Sequence, residues 1–191
     1  MSNAGIFTPN DIYDLQTYGQ WTPKLGELVL LETQSATNVD SFYFTNLDED
    51  IYDIHFMTFH GLEGVSSPQT LSVRFAENGT LETTSVYSYS NRYNQADGGS
   101  NHEYASNSNG PPLCAFNNVA NLQSAGYLYF YRLGNAQTYS FYTGQTAGAF
   151  DEEFKFVSGS LPQTSVVDQI KFIASGLSFS MSASLYGVKS A

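Results

Sequence analysis

The chain has 191 residues, 41% of them hydrophobic, and carries a formal net charge of −11 from 18 acidic and 7 basic residues. That length supplies one sizeable core and gives no reason for two domains, while so few Lys and Arg argue against grip on nucleic-acid phosphate or on anionic lipid. A single cysteine, Cys114, excludes an internal disulfide, and no Cys/His cluster offers a zinc site.

Taken in chain order, Met1-Ser2-Asn3-Ala4-Gly5 has neither a basic n-region nor an apolar h-region, so no secretory signal is expected and synthesis in a cytoplasm is. No apolar run approaches the length of a membrane span. Thr8-Pro9-Asn10-Asp11 reads as an N-cap, a proline at the first helical position and an acid in the first turn. Ile12 and Leu15 follow on one face, and Gly19 stops the helix. At about ten residues it is too short to stand alone and must dock. Residues 1–26 therefore read as an attachment arm, with Ile6, Phe7, Ile12, Leu15 and Trp21 as its anchoring side chains.

From Glu27 the pattern turns to period two, which marks strands with one face buried and one solvated. Leu71, Val73 and Phe75 alternate with Ser72 and Arg74, and Phe154 and Phe156 flank Lys155. Ile170, Phe172 and Ala174 flank Lys171 and Ile173. Leu177, Phe179, Met181, Ala183 and Leu185 alternate with serines. The spacing predicts about ten strands, over 27–34, 39–45, 51–60, 70–77, 83–90, 127–132, 137–143, 154–158, 166–175 and 180–189. Asn78-Gly79 is the strongest hairpin turn. No long helical pattern separates the strands, so the expected fold is all-β: an antiparallel, jelly-roll-like β-sandwich over 27–191 preceded by the short helix. Residues 91–112, rich in Asn and Gly, break the pattern and read as a long loop.

Reactive groups are sparse. His55 and His60 have odd spacing on one strand and so face opposite ways, and His102 falls in the 91–112 loop; three unrelated histidines is the plain reading. Asp48, Glu49, Asp50 and Asp53, and the run Asp151-Glu152-Glu153, read as acids in turns rather than as a carboxylate pair across a sugar. No G-x-S-x-G occurs, Cys114 reads as a small buried side chain, and Asp97-Gly98-Gly99 lacks the ligand series of a calcium loop. Asn78-Gly79-Thr80 matches a glycosylation sequon, but the turn reading wins. Neither catalytic residues nor a metal or cofactor is expected.

Aromatic residues are the better sign of function: 14 Tyr and 14 Phe in a chain with only 13% charged residues, about half the usual share. Such a surface costs little to desolvate and suits contact with protein or sugar. Tyr87, Tyr89, Arg92, Tyr93 and Tyr104, in or beside the 91–112 loop, are the candidate contacts for glycan or protein. Tyr127, Tyr129 and Tyr131 share one face of a strand and Leu128 and Phe130 the other; the tyrosines line the outside if the Leu/Phe face is core, and otherwise form a second buried layer.

Several stretches together resemble a diffuse family of tailed-bacteriophage virion proteins from phages of aquatic bacteria. They are Ile170-Lys171-Phe172-Ile173, a Gly/Ser turn, and Ser184-Leu185-Tyr186-Gly187-Val188-Lys189. Leu31-Glu32-Thr33-Gln34, Tyr52-Asp53-Ile54-His55-Phe56 and Leu71-Ser72-Val73-Arg74-Phe75 followed by Asn78-Gly79 are similar to earlier parts of that pattern, as is Gly5 to Tyr13 in the arm. The glycine pair usual after the Arg74 strand is reduced here to Gly79. The resemblance implies a β-sandwich built into the particle as a head decoration or tail appendage, and no catalytic residues. Its expected partners are capsid or tail subunits and further copies of itself, not nucleic acid or a membrane. An adhesin that recognises host surface glycan through the 91–112 loop is the alternative.

Overall fold

The computed structural model describes residues 27–65, 69–119, 121–174 and 176–188. The predicted helix and its anchors Ile6, Phe7, Ile12, Leu15 and Trp21 lie outside the described residues. Among those described, every regular element is a strand: β1 (Leu28–Val39), β2 (Ser41–Phe44), β3 (Ile54–Gly64), β4 (Gln69–Glu77), β5 (Thr80–Leu81), β6 (Tyr87–Asn94), β7 (Ser100–Ser108), β8 (Pro112–Phe116), β9 (Ser124–Tyr131), β10 (Ser140–Gly148), β11 (Glu153–Leu161), β12 (Val167–Ala174) and β13 (Phe179–Val188).

These strands form two antiparallel sheets. One has eight strands in the order β1-β13-β3-β9-β10-β11-β6-β7, and the other runs β2-β12-β4-β5 with β8 also on β4. Four pairings are nested in sequence: β1 with β13, β2 with β12, β3 with β9, and β4 with β8. The chain thus runs out along one side of a long ribbon and returns along the other, and the ribbon is folded across itself to make the two layers. Two insertions interrupt the ribbon. One carries β5, β6 and β7 between β4 and β8, and the other carries β10 and β11 between β9 and β12. Together they add four strands to the free edge of β9 and widen the larger sheet.

Inward-facing side chains from both sheets meet in one core. Met57, Phe59 and Leu62 come from β3, Leu128 and Phe130 from β9, and Phe179, Met181 and Leu185 from β13. Facing them are Phe42 and Phe44 of β2, Leu71, Val73 and Phe75 of β4, and Ile170 and Phe172 of β12. Each large apolar side chain buried this way stabilises the fold by about 1.5–3 kcal/mol. The alternation read in Leu71–Phe75, Ile170–Ala174 and Phe179–Leu185 is the alternation of burial, whereas Leu177 precedes β13 and is exposed.

At the hairpin turn between β4 and β5, Asn78 and Gly79 have φ of 50° and 72°, the left-handed pair that suits tightly twisted strands. The Gly79 amide donates to Asp168 Oδ2 at 2.7 Å, tying that turn to the start of β12.

Thirteen strands replace the expected ten or so. The 91–112 segment is not a long loop: it finishes β6, turns at 95–99, forms the whole of β7 and enters β8. The turn closes with Gly98 at φ 89° and with the Gly99 amide donating to Asp97 Oδ1, so that aspartate serves the turn. β7 escaped the sequence reading because it is an edge strand with no fully buried residue, and its Ser, Asn and Ala residues carry no apolar alternation.

Candidate functional site

The outer face of the eight-stranded sheet carries the site. Leu128 and Phe130 are buried, so Tyr127, Tyr129 and Tyr131 line the outside, which decides between the two readings of β9. The three rings form a column: Tyr127 meets Tyr129 edge-on at 6.1 Å, and Tyr129 stacks on Tyr131 at 6.4 Å. Phe56 on neighbouring β3 supports them at 4.8 Å from Tyr129, with Tyr186 of β13 behind it at 6.1 Å.

Beside this column the surface drops. Thr143 on β10 pairs with Tyr129 on one side and Ser158 of β11 on the other. The Ser158 hydroxyl donates to the Ser90 carbonyl of β6 at 2.6 Å, and Ser90 pairs with Tyr104 on β7. Three hydroxyl side chains therefore cross the sheet in one row, closed by an aromatic ring at each end. The row spans four interstrand steps, roughly 19 Å at about 4.8 Å per step. A parallel row holds Tyr127, Gln145, Phe156, Arg92 and His102. Between these side chains lies a groove of about 490 Å³.

β11 supplies the groove's hydrophobic side by a reversal. Its Phe154 and Phe156 flank Lys155, a pattern that reads as two core residues around one exposed cation, yet the phenylalanines are 42% and 48% exposed and Lys155 is 2% exposed. The lysine points to the other, buried face of the sheet. There its ammonium pairs with Glu103 at 2.8 Å and Glu153 at 3.9 Å and lies 5.1 Å from the Tyr93 ring centroid. Burial holds the Glu153 carboxyl above its ordinary range, partly offset by Lys155 and by the Ala115 amide.

The structure divides the five predicted contacts. Arg92 lies in the groove, and Tyr104, 74% exposed, stands at its rim with its ring 5.3 Å from that of His102. Tyr87, Tyr89 and Tyr93 share parity with buried Asn91 and point to the other side of the sheet, Tyr89 and Tyr93 half-buried. Tyr87 is fully buried, and its hydroxyl accepts the Phe75 amide at 2.9 Å. Burial pushes that hydroxyl up to about 12. Once 87–94 is a strand, odd and even positions must part, a rule that does not apply to a loop. The residues missed were His102, Gln145, Thr143, Ser158, Ser90 and Phe156. Their signal is the cross-strand register, which a single strand's sequence does not carry.

Elsewhere the reactive groups are occupied or sequestered. His55 faces in and His60 out, as their odd spacing requires. His55 Nε2 donates to the Leu47 carbonyl at 2.6 Å, and burial lowers its basicity. His102 Nε2 shares a hydrogen bond with the Ser90 hydroxyl at 2.8 Å. Cys114 is buried and its thiol is pushed up to about 12 by loss of solvation. Asp48, Glu49 and Asp50 lie in the turn after β2, and Asp151 and Glu152 lie at the β10–β11 turn with φ of 55° and 47°; Glu153, expected with them in water, is instead buried at the start of β11. No group of three or more His, Cys, Asp and Glu able to hold a metal occurs among the described residues.

In comparison with known proteins, the chain matches no family model, no curated protein and no solved structure.

Proposed function

We propose that the chain is a non-catalytic structural subunit on the surface of a tailed-bacteriophage particle, attached through residues 1–26 to a capsid or tail neighbour with its sandwich facing outward. The nested pairing of β1–β13, β2–β12, β3–β9 and β4–β8 carries this reading. It supports a jelly roll, an architecture that recurs in viral coat and lectin domains. The stretches that resemble virion proteins fall on strands of that ribbon, Ile170–Ile173 in β12 and Ser184–Val188 in β13. Burial of Cys114 and His55 and the use of acids in turns favour a contact role over a catalytic one. Assembly in the host cytoplasm and association with further copies belong to the same proposal, and repetition on a symmetric particle would multiply weak contacts by avidity.

Mass spectrometry of purified particles tests it. The chain is expected among their proteins, on the order of hundreds of copies for a head subunit and a few dozen or fewer for a tail subunit. Its absence from washed particles would refute the reading. A chain starting at residue 27 should fold and fail to incorporate, and normal incorporation would remove the anchoring role of 1–26.

The second reading, a host-glycan adhesin, is favoured by the aromatic groove and moves from the supposed 91–112 loop to the face formed by β9, β10, β11 and β6.

A further inference from the structure

The groove is selective in charge. The protein has 18 carboxylates and 7 basic residues, yet no Asp or Glu lines the groove and Arg92 does. Arg92 has no carboxylate partner among the described residues, whereas Lys155, three positions from Glu152, is paired twice and buried. An exposed guanidinium presents two parallel donors that match a carboxylate. In water an arginine in an acidic protein gains by taking a nearby carboxylate. Here the neighbours on its own face are Phe156, His102 and the hydroxyl row, so none is within register. The remaining surface has the chemistry of a sugar site: tyrosine rings for the apolar side of a pyranose, and Thr143, Ser158, Ser90 and Gln145 for its hydroxyls.

We infer that this groove binds an acidic oligosaccharide, laying pyranose rings against Tyr129 and Tyr131 and pairing a sugar carboxylate with Arg92. This deepens the adhesin reading and rests on it, but not on the attachment arm. A second copy of the chain fits the groove less well. It would bring a net charge of −11 against another −11, and would bury a row of hydroxyls that sugar hydroxyls satisfy more readily than apolar side chains. Arg92 is the one Lys, Arg, Asp or Glu side chain that lines this groove, and charges farther off than about 8 Å are largely screened in physiological salt.

Saturation-transfer NMR and calorimetry on the full-length protein test the inference with three probes: a galacturonic acid trisaccharide, α2,3-sialyllactose and neutral maltotriose. The expected result is binding of at least one acidic probe, with the two acids distinguishing a uronate from a sialate source, and at least about tenfold weaker binding of maltotriose, equivalent to 1.4 kcal/mol. Arg92→Gln should abolish the preference for the acidic probe. Tyr129→Phe should retain binding and Tyr129→Ala should lose it, with thermal melts confirming that each variant is folded. Equal binding of maltotriose, or an unchanged preference in Arg92→Gln, would overturn the carboxylate contact. No binding of any probe would overturn the site. Concentration-dependent dimerisation abolished by Tyr129→Ala would also overturn it, in favour of contact between copies. None of these results bears on whether the chain is found in particles, so the virion reading stands or falls separately.

Discussion

His55 and Lys155 show how this core handles ionisable groups. His55 donates through Nε2 to the Leu47 carbonyl, while its Nδ1 has no hydrogen-bond partner among the described residues. A second proton would place an unsolvated charge on Nδ1, which is why burial lowers its basicity below the ordinary 6.5. A base depressed in the folded state contributes stability that is complete above 6.5 and is lost as pH falls through the lower folded value. Melting temperature should therefore drop as pH falls below 6.5, and His55→Gln should flatten that limb while keeping a donor for Leu47. An identical acid limb in the variant would remove His55 as its cause. Glu153 titrates in the opposite sense. Its carboxyl is raised above 4.5, so its contribution is greatest below that value and declines as pH rises through the folded one. Lys155→Met would leave Glu153 without its buried cation and should cost about 3 kcal/mol at neutral pH. The cost should shrink toward pH 4.5, where the lone carboxyl protonates, and denaturant melts at the two pH values would show it.

At the scale of elements, β11 and β12 carry the same written pattern with opposite meaning. In β12, Phe172 sits between Lys171 and Ile173 and is buried; in β11, Phe154 and Phe156 surround a buried lysine. Alternation states that a strand has two different faces and does not state which one is covered. Coverage comes from register with neighbours: Phe156 pairs with Gln145 and Arg92 on the outer surface. Phe172→Ala should therefore cost about 3–5 kcal/mol, and Phe156→Ser less than about 1 kcal/mol. Equal losses in urea melts would return β11 to the core. The same limit explains what was legible. β13 could be read because its serines and apolar residues segregate. β7, polar on both sides at an edge, and β5, only two residues long, could not. Of the site, Arg92 could be named from the sequence and the β9 tyrosines only as one of two readings, outward or buried, whereas the groove between them exists only once β9, β10, β11 and β6 are placed side by side.

For the molecule as a whole, nesting places the first and last described strands together. β13 lies between β1 and β3, and β13 is the only strand partner of β1 among the described residues. Pairs such as Thr33 with Ser184 join residues 151 apart in sequence and even bond through their hydroxyls at 2.9 Å. Contacts so distant must wait for the inner pairs, β4 with β8 and β3 with β9, to bring the ribbon's sides together. Refolding is thus expected in milliseconds to seconds rather than microseconds. The same wiring makes the last strand indispensable. A chain ending at residue 176 would lose Phe179, Met181 and Leu185 from the core, at about 1.5–3 kcal/mol each, and would strip β1 of its ladder and β3 of one neighbour. That sum is comparable with the whole stability of an ordinary domain, about 5–15 kcal/mol. The truncated chain should show neither the near-ultraviolet dichroism of ordered tyrosines nor a cooperative melt, whereas a chain lacking 1–26 should show both. A cooperative melt in the chain ending at 176 would mean that the core closes without the outermost pair of the ribbon.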